Sequence, residues 1–409
     1  MLSARRSRRA FFTLVVAQFL SSLADNALLI AAIGLLIDRR AASWMTPALR
    51  LVFYLSYVSL GAFAGAVADA YPKSQVILLT NLVKVAGCGL LFAGIHPLVA
   101  YGLIGLGAAA YSPAKYGILP ELVAQSDLVT ANAWIEATTV LSILLGVGLG
   151  SLLINSTVIT IGRASNAAHA AVGVLCMVYL FASLCSAAIP KGKATNSSAL
   201  QDPRSLVQEF GRSFRILWHD SESQISLAVT TLFWAASAML QFVILLWAAL
   251  ALHLNLSDAA LLQTAVAIGM VMGAVAAVRW IPLSRALAVL PIGTGIAIAV
   301  VAMAFVTRVS VAATLLVVIG TLSGMLLVPM NALLQHRGQL LMHSGQAIAV
   351  QNFIESLGSL VLLASYAILL YLDVSLVLII VVLGLFLMAA LLLIMKRHRT
   401  NRCEETVAR

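Results

Sequence analysis

Twelve stretches of this chain run for about 20 residues or more with hardly a charge, at 11–37, 47–68, 75–94, 97–116, 129–154, 171–189, 225–251, 259–278, 286–306, 311–334, 345–372 and 375–395. A helix of that length crosses the roughly 30 Å hydrocarbon core of a bilayer, and no soluble core absorbs twelve of them. Composition agrees: 62% of the 409 residues are hydrophobic and 10% charged, against about 25% charged in a soluble domain. Disordered chains are poor in aliphatic residues, and a membrane β-barrel alternates apolar with polar positions, so both are excluded. The fold class is therefore an all-α polytopic membrane protein with twelve transmembrane helices.

The long polar stretch at 190–224 divides these runs six plus six. The expected organisation is an N-terminal bundle (1–189), a central loop (190–224), a C-terminal bundle (225–395) and a tail (396–409), with a short amphipathic helix at 206–218. An even number of spans puts both termini on one side. Alternation then assigns 19 Lys and Arg to that side, including Arg5, Arg6, Arg8, Arg9, Lys191, Lys193 and Lys396, and five (Arg39, Arg40, Arg50, Arg163, Arg308) to the other. By the positive-inside rule the termini and central loop are cytoplasmic. The net charge of +10 is thus spread over tails and short loops rather than a nucleic-acid-binding face. The apolar run behind the first arginines is too long for a cleavable signal.

The halves share a short signature: Trp134-Ile135-Glu136 in the fifth span matches Phe353-Ile354-Glu355 in the eleventh, and Pro113 in the fourth matches Pro329 in the tenth. Spans of equal ordinal number carry equal features, the pattern of two parallel six-helix repeats. Pro113 is expected to break the fourth helix near its cytoplasmic end, and Pro329 lies near the end of the tenth.

A carboxylate at the bilayer centre costs about 2.5–3.5 kcal/mol on insertion scales, so each needs a partner or a purpose. Asp25 and Asn26 lie midway along the first span, Lys84 midway along the third and Lys115 at the end of the fourth. Glu136 and Glu355 fall in the first turns of their spans, Gln241 in the seventh at about the depth of Asp25, and Gln351 and Asn352 at the start of the eleventh. The plain reading is interhelical hydrogen bonds or salt bridges, about 1 kcal/mol each, with the glutamates satisfying helix-start amides or pairing with a nearby cytoplasmic Lys or Arg. For Asp25 no cation lies within a helical turn. Its partner must come from another helix, Lys84 or Lys115, and such a charge usually lines a pathway. If it does, Asp25→Asn is expected to impair transport while sparing folding.

Gly61/Gly65, Gly146/Gly150, Gly269/Gly273 and Gly320/Gly324 are small-x-x-x-small pairs that let helices approach closely. His253 and Asp258 reproduce an acyltransferase spacing, but in a very short loop without an accompanying domain. Cys88, Cys176, Cys185 and Cys403 form no C-x-x-C pair, and no Walker A, H-E-x-x-H or G-x-S-x-G string is present. The expectation is a transporter, not an enzyme, with no metal and no cofactor.

Several strings resemble the bacterial lysophospholipid transporter family of the major facilitator superfamily. They are Ala17-Gln18-Phe19-Leu20 with Asp25-Asn26-Ala27-Leu28-Leu29, Gly107 through Tyr111-Ser112-Pro113-Ala114-Lys115-Tyr116-Gly117, Leu232-Phe233-Trp234, Val328-Pro329-Met330-Asn331, and Gly345 through Gln351-Asn352. Gly65-x-x-x-Asp69 with Lys73 looks like a shortened form of the superfamily's cytoplasmic gate motif. The resemblance implies alternating access and lysophosphatidylethanolamine and lysophosphatidylglycerol as substrates. These would move to the cytoplasmic leaflet of the inner membrane, where an acyltransferase/acyl-carrier-protein synthetase reacylates them. It also implies that Asp25 and Lys115 are functional, and that Gln241 stands where better-known members carry an Arg. The rival readings are a proton-coupled drug or amphiphile exporter of the same fold, which would tolerate diverse cations and fail without a proton gradient, and a non-transporting scaffold for the acyltransferase.

Overall fold

A computed structural model describes residues 4–42, 45–154, 167–190, 192, 203–254 and 256–407. Arg163, Lys191, Lys193 and Arg409 of the charge count lie outside them.

Each apolar run forms a long helix: α1 (Ala4–Asp38), α2 (Met45–Ala70), α3 (Lys73–Phe92), α4 (Pro97–Gly117), α5 (Leu128–Ile154), α6 (Ala167–Ala187), α7 (Ser221–Ala251), α8 (Leu256–Trp280), α9 (Leu290–Met303), α10 (Val309–Leu341), α11 (Ser344–Tyr371) and α12 (Leu376–Val407). Eleven helices of the described residues are long and apolar enough to cross a membrane. The exception, α4, has 21 residues, but its Gly, Ala, Tyr and Ser content dilutes its hydropathy. The loop helix Pro203–His219 occupies the central stretch.

Helices outrun their apolar cores where polar flanks are good helix formers. α1 starts seven residues before its run, and α12 continues through Lys396 and Arg397, because hydropathy marks the membrane and propensity marks the helix. Caps fix other ends. Asp220 opens α7 by accepting the Ser223 N–H at 3.0 Å, and the His96 ring accepts the Leu98 N–H ahead of α4.

Neither proline stops its helix: α4 runs on to Gly117 past Pro113, and α10 to Leu341 past Pro329. A proline removes a single i→i−4 bond, and in a packed membrane helix neighbouring groups and local adjustment make up that loss.

The chain divides into two compact units. The first comprises Met1–Ala124, Thr138–Phe214 and Gly338–Phe353, and the second comprises Gln125–Ala137, Arg215–Arg337 and Ile354–Arg409. Thus α5 and α11 are each shared, and each changes unit within about one turn of the matched Trp-Ile-Glu and Phe-Ile-Glu strings.

In the first unit α1 packs on α6, α2 on α4, and α3 on both α4 and α6, around Leu28, Leu35, Leu91, Ile104 and Val172. Gly146 and Gly150 bring α5 onto α1: a Cβ on either would stand 2.6 Å from the Leu23 oxygen or 2.7 Å from that of Ala27. Gly61 and Gly65 likewise admit Phe353 and Ala349 of α11 against α2.

In the second unit α12 packs on α7 and α9, and α7 on α8, around Val243, Trp247, Met303, Leu316 and Ile380. The tightest seam joins α8 to α10. A Cβ on Gly269, Gly273, Gly320 or Gly324 would fall 2.1, 2.0, 2.1 or 2.3 Å from the oxygens of Val317, Thr321, Val266 and Met270. Only glycine allows backbones so near.

Candidate functional site: a buried charge centre and a helix-end gate

Asp25 finds its partner in Lys84. The ammonium, on a residue 1% exposed, sits 2.7 Å from Asp25 Oδ2 and 2.9 Å from Ser21 Oγ. Tyr179 of α6 donates its hydroxyl to Asp25 Oδ1 at 2.6 Å. Ser21 in turn donates to Asn81 at 2.7 Å, and the Asn81 amide reaches Ser186. Ser21 and Asp25 are four apart on α1, Asn81 and Lys84 three apart on α3, so each helix shows one polar face to the others.

The rings of Tyr111 and Tyr179 lie 5.0 and 5.6 Å from the ammonium, a separation at which their π faces attract it. The Tyr111 hydroxyl is buried without a hydrogen-bond partner among the described residues. Lys84 is sealed in, while the Asp25 side chain keeps 18% of its surface exposed. A carboxylate that is accessible on one edge and neutralised on the other can accept an external ammonium or a proton. The lysine it releases is then free for an anion.

Asn26 does not join this centre. Its amide donates to the Ser22 carbonyl of its own helix at 2.8 Å, and its Cβ backs onto Gly146. Half-buried Asn26 thus lies on the α1–α5 seam, which Gln18 also ties through Thr138 and Thr139.

The second cluster closes around Asp69, which is fully buried. Its carboxylate accepts the backbone N–H groups of Gly345 and Gln346 at 3.1 and 2.9 Å, capping α11. An anion there meets the positive end of the helix. Lys73 stands 3.6 Å from Asp69 and 2.7 Å from Glu121. The loop helix completes the arrangement: Glu209 accepts from the Gln346 side chain at 2.8 Å, Ser213 donates to it at 3.0 Å, and Phe210 meets Phe353 edge-on. The two gate residues named from sequence are therefore joined by Glu121, Gln346, Glu209 and Ser213.

The remaining candidates are separately placed. Lys115 is buried with its ammonium 4.1 Å above the Tyr116 ring, and the nearby Glu121 binds Lys73. Asn352 donates to Ser112 at 2.9 Å and Gln351 is buried. Glu136 accepts from Asn331 at 3.1 Å, next to a reciprocal Asn132–Gln335 pair at 2.9 and 2.8 Å.

Glu136 and Glu355 lie eight and 11 residues inside α5 and α11, not in first turns as read from the sequence. That depth removes helix-start capping as their role, because orphan amides are confined to the first turn. Gln241 is exposed on α7, and its carbonyl accepts from Gln263 of α8 at 2.8 Å. His253 ends α7 in the left-handed conformation, φ 53°, as a turn residue.

Outside the spans, partial burial pushes the Asp220 carboxyl up. The Arg337 guanidinium and the Ser223 hydroxyl and amide outweigh it, and its pKa settles below the ordinary carboxylate range.

Ser21 and Asn81 were findable from their spacing to Asp25 and Lys84. Tyr179 and Gln346 carried no such signal, since only folding brings them near.

The sequence matches the Major Facilitator Superfamily over residues 10–363. It is 39% identical to the lysophospholipid transporter LplT of Yersinia pestis (strain Pestoides F), and equally to that of Yersinia pseudotuberculosis serotype I (strain IP32953), over 88% of this chain and 86% of each relative. Among solved structures, the human organic anion transporter MFSD10 (TETRAN) superposes with a TM-score of 0.75 at 15% identity over 94% of this chain and 99% of its own. The FucP transporter in its outward conformation gives 0.72 at 12% identity over 95% and 98%. At that identity these two show the fold alone. With the fold, the profile match and the identity to LplT in agreement, the chain belongs to the major facilitator superfamily and, within it, to the lysophospholipid transporter family.

Proposed function

We propose that this protein is a lysophospholipid transporter of the bacterial inner membrane, with both termini cytoplasmic. It moves lysophosphatidylethanolamine and lysophosphatidylglycerol to the cytoplasmic leaflet by alternating access. The 39% identity to LplT supports the substrate class, and the excess of Lys and Arg on the terminal side supports the orientation. The observation that carries the mechanism is the Asp25–Lys84 pair, opposite charges held in an aromatic-walled centre that leaves Asp25 partly exposed.

A lysophospholipid needs only its head enclosed, because its single chain can stay in lipid between helices. Few charges then suffice. Lys84 or Lys115 serves the phosphate common to all such substrates, while Asp25, Glu136 or Glu355 serves the ammonium of the ethanolamine form. Gln351, Asn352 and Gln241 add uncharged polar lining. Asp69 and Lys73 act as the gate, since release toward the cytoplasm must free the capped start of α11. An acyltransferase/acyl-carrier-protein synthetase on the cytoplasmic face is the partner that consumes the product.

The test is flux of labelled lysophosphatidylethanolamine in proteoliposomes, with and without ion gradients. The expected result is flux that Asp25→Asn abolishes in a well-inserted protein. Wild-type flux in that variant would return Asp25 to a structural role. Movement of diverse cations that collapses with the proton gradient, without lysolipid flux, would overturn the reading in favour of an amphiphile exporter.

A further inference from the structure

A groove of about 640 Å³ runs between the start of α1 and the end of α6, lined by Arg8, Arg9, Phe12, Thr13, Val16 and Cys185. A second hollow of about 380 Å³ adjoins it, shares Arg9 and Thr13, and continues along residues 187–190. Among the described residues no carboxylate lines either one. Arg8 and Arg9 are both exposed, and among the described residues neither makes an ion pair. Arg8 is held against the wall, its guanidinium 5.9 Å from the centre of the Phe12 ring. Beyond the arginines the wall is apolar: Phe12 and Val16, one turn apart, are 37% and 47% exposed.

The groove therefore carries two uncompensated guanidinium groups at one end and hydrocarbon along the rest. The apolar run of α1 begins at Phe11, just past the arginines, which sets them at head-group depth. A guanidinium fork matches phosphate oxygens in pairs, and an acyl chain matches the wall below. A free phosphate would use the first feature and leave the second bare.

We infer that this groove binds a membrane phospholipid of net negative head group, its phosphate on Arg8 and Arg9 and one acyl chain along Phe12 and Val16. The site is distinct from the Asp25–Lys84 centre, and it stands whether or not that centre carries lysophospholipid.

Cys185, a free thiol lining the groove, is the reporter. In full-length protein with Cys88, Cys176 and Cys403 changed to Ala, alkylation of Cys185 by N-ethylmaleimide is timed by mass spectrometry in lipid-free micelles. The measurement is repeated with phosphatidylglycerol, phosphatidylcholine or inorganic phosphate. Phosphatidylglycerol at about ten times its dissociation constant should slow alkylation about tenfold, in proportion to occupancy, while the other two change it little. Arg8→Gln/Arg9→Gln should remove the protection, and so should Val16→Trp, which fills the wall and keeps the charge. Equal protection by phosphatidylcholine, protection by phosphate alone, survival of protection in both variants, or none at all would each overturn the inference.

Discussion

At mid-helix the unit built on α1, α3 and α6 holds an ammonium, a carboxylate and two tyrosines. The core of the unit built on α7, α9 and α12 holds Val243, Trp247, Met303 and Ile380, with no charge among them. The two halves carry the same six-helix plan, so the plan does not require charge. An apolar centre satisfies packing at no electrostatic cost, whereas a charged one must offset desolvation with close pairing. The closely paired charge centre therefore lies in the first unit, while the second holds the buried Glu136 carboxylate, which accepts from Asn331, and polar contacts toward helix ends such as Asn132–Gln335 and Arg337–Asp220.

The strongest way to break this contrast is Lys84→Met. Losing the ammonium strands a buried carboxylate, with an expected cost of about 3–5 kcal/mol, read as a lowered Tm in detergent. Asp25→Asn added to it should restore most of the loss without restoring flux. A single variant as stable as wild type would show that the pair is not structurally coupled. Copying charge into the other centre tests the reverse. Val243→Asp, at a fully buried site, should cost about 2.5–3.5 kcal/mol with no cation to recover it, and normal insertion and melting would show hidden polarity there.

The gate sharpens the comparison at a smaller scale. Asp69→Asn keeps one acceptor for the α11 amides but loses the charge. It should destabilise by about 1 kcal/mol and speed hydrogen exchange at Gly345 and Gln346, and unchanged exchange would remove Asp69 from the cap. The smallest effect belongs to Asp220. Because its folded pKa is depressed, its contribution is present above the unfolded value of about 4 and lost as pH falls through the lower folded value. For so exposed a pair that contribution is at most about 1 kcal/mol. The Tm gap between wild type and Asp220→Asn should narrow below that pH, and a gap constant from pH 3 to 7 would sink the linkage.

The helices and their order were legible because an apolar run of bilayer length has few alternatives. Asp25's need for a partner was legible too, since a lone carboxylate in hydrocarbon is intolerable. Which lysine answers it was not: Lys84 and Lys115 are equally plausible in one dimension, and only the packing of α3 against α4 and α6 selects Lys84. The pairing also revises the expectation that Asp25→Asn spares folding, because an ammonium is left behind. Pro113 misled because a local rule forecast a break that does not occur: α4 runs on to Gly117. Glu136 and Glu355 were placed in first turns although the starts of their helices were read to within one residue; at 3.6 residues per turn they fall in the third and fourth turns.

The α8–α10 seam has a mechanical meaning. Contacts through side chains have play, since rotamers can shift and a bundle can yield along them. Where four glycines leave nothing between two backbones, that compliance is gone over about one turn, ~6 Å at the rise of an α-helix. There α8 and α10 are pinned to each other, so bending within this unit is left to its softer, side-chain-filled seams.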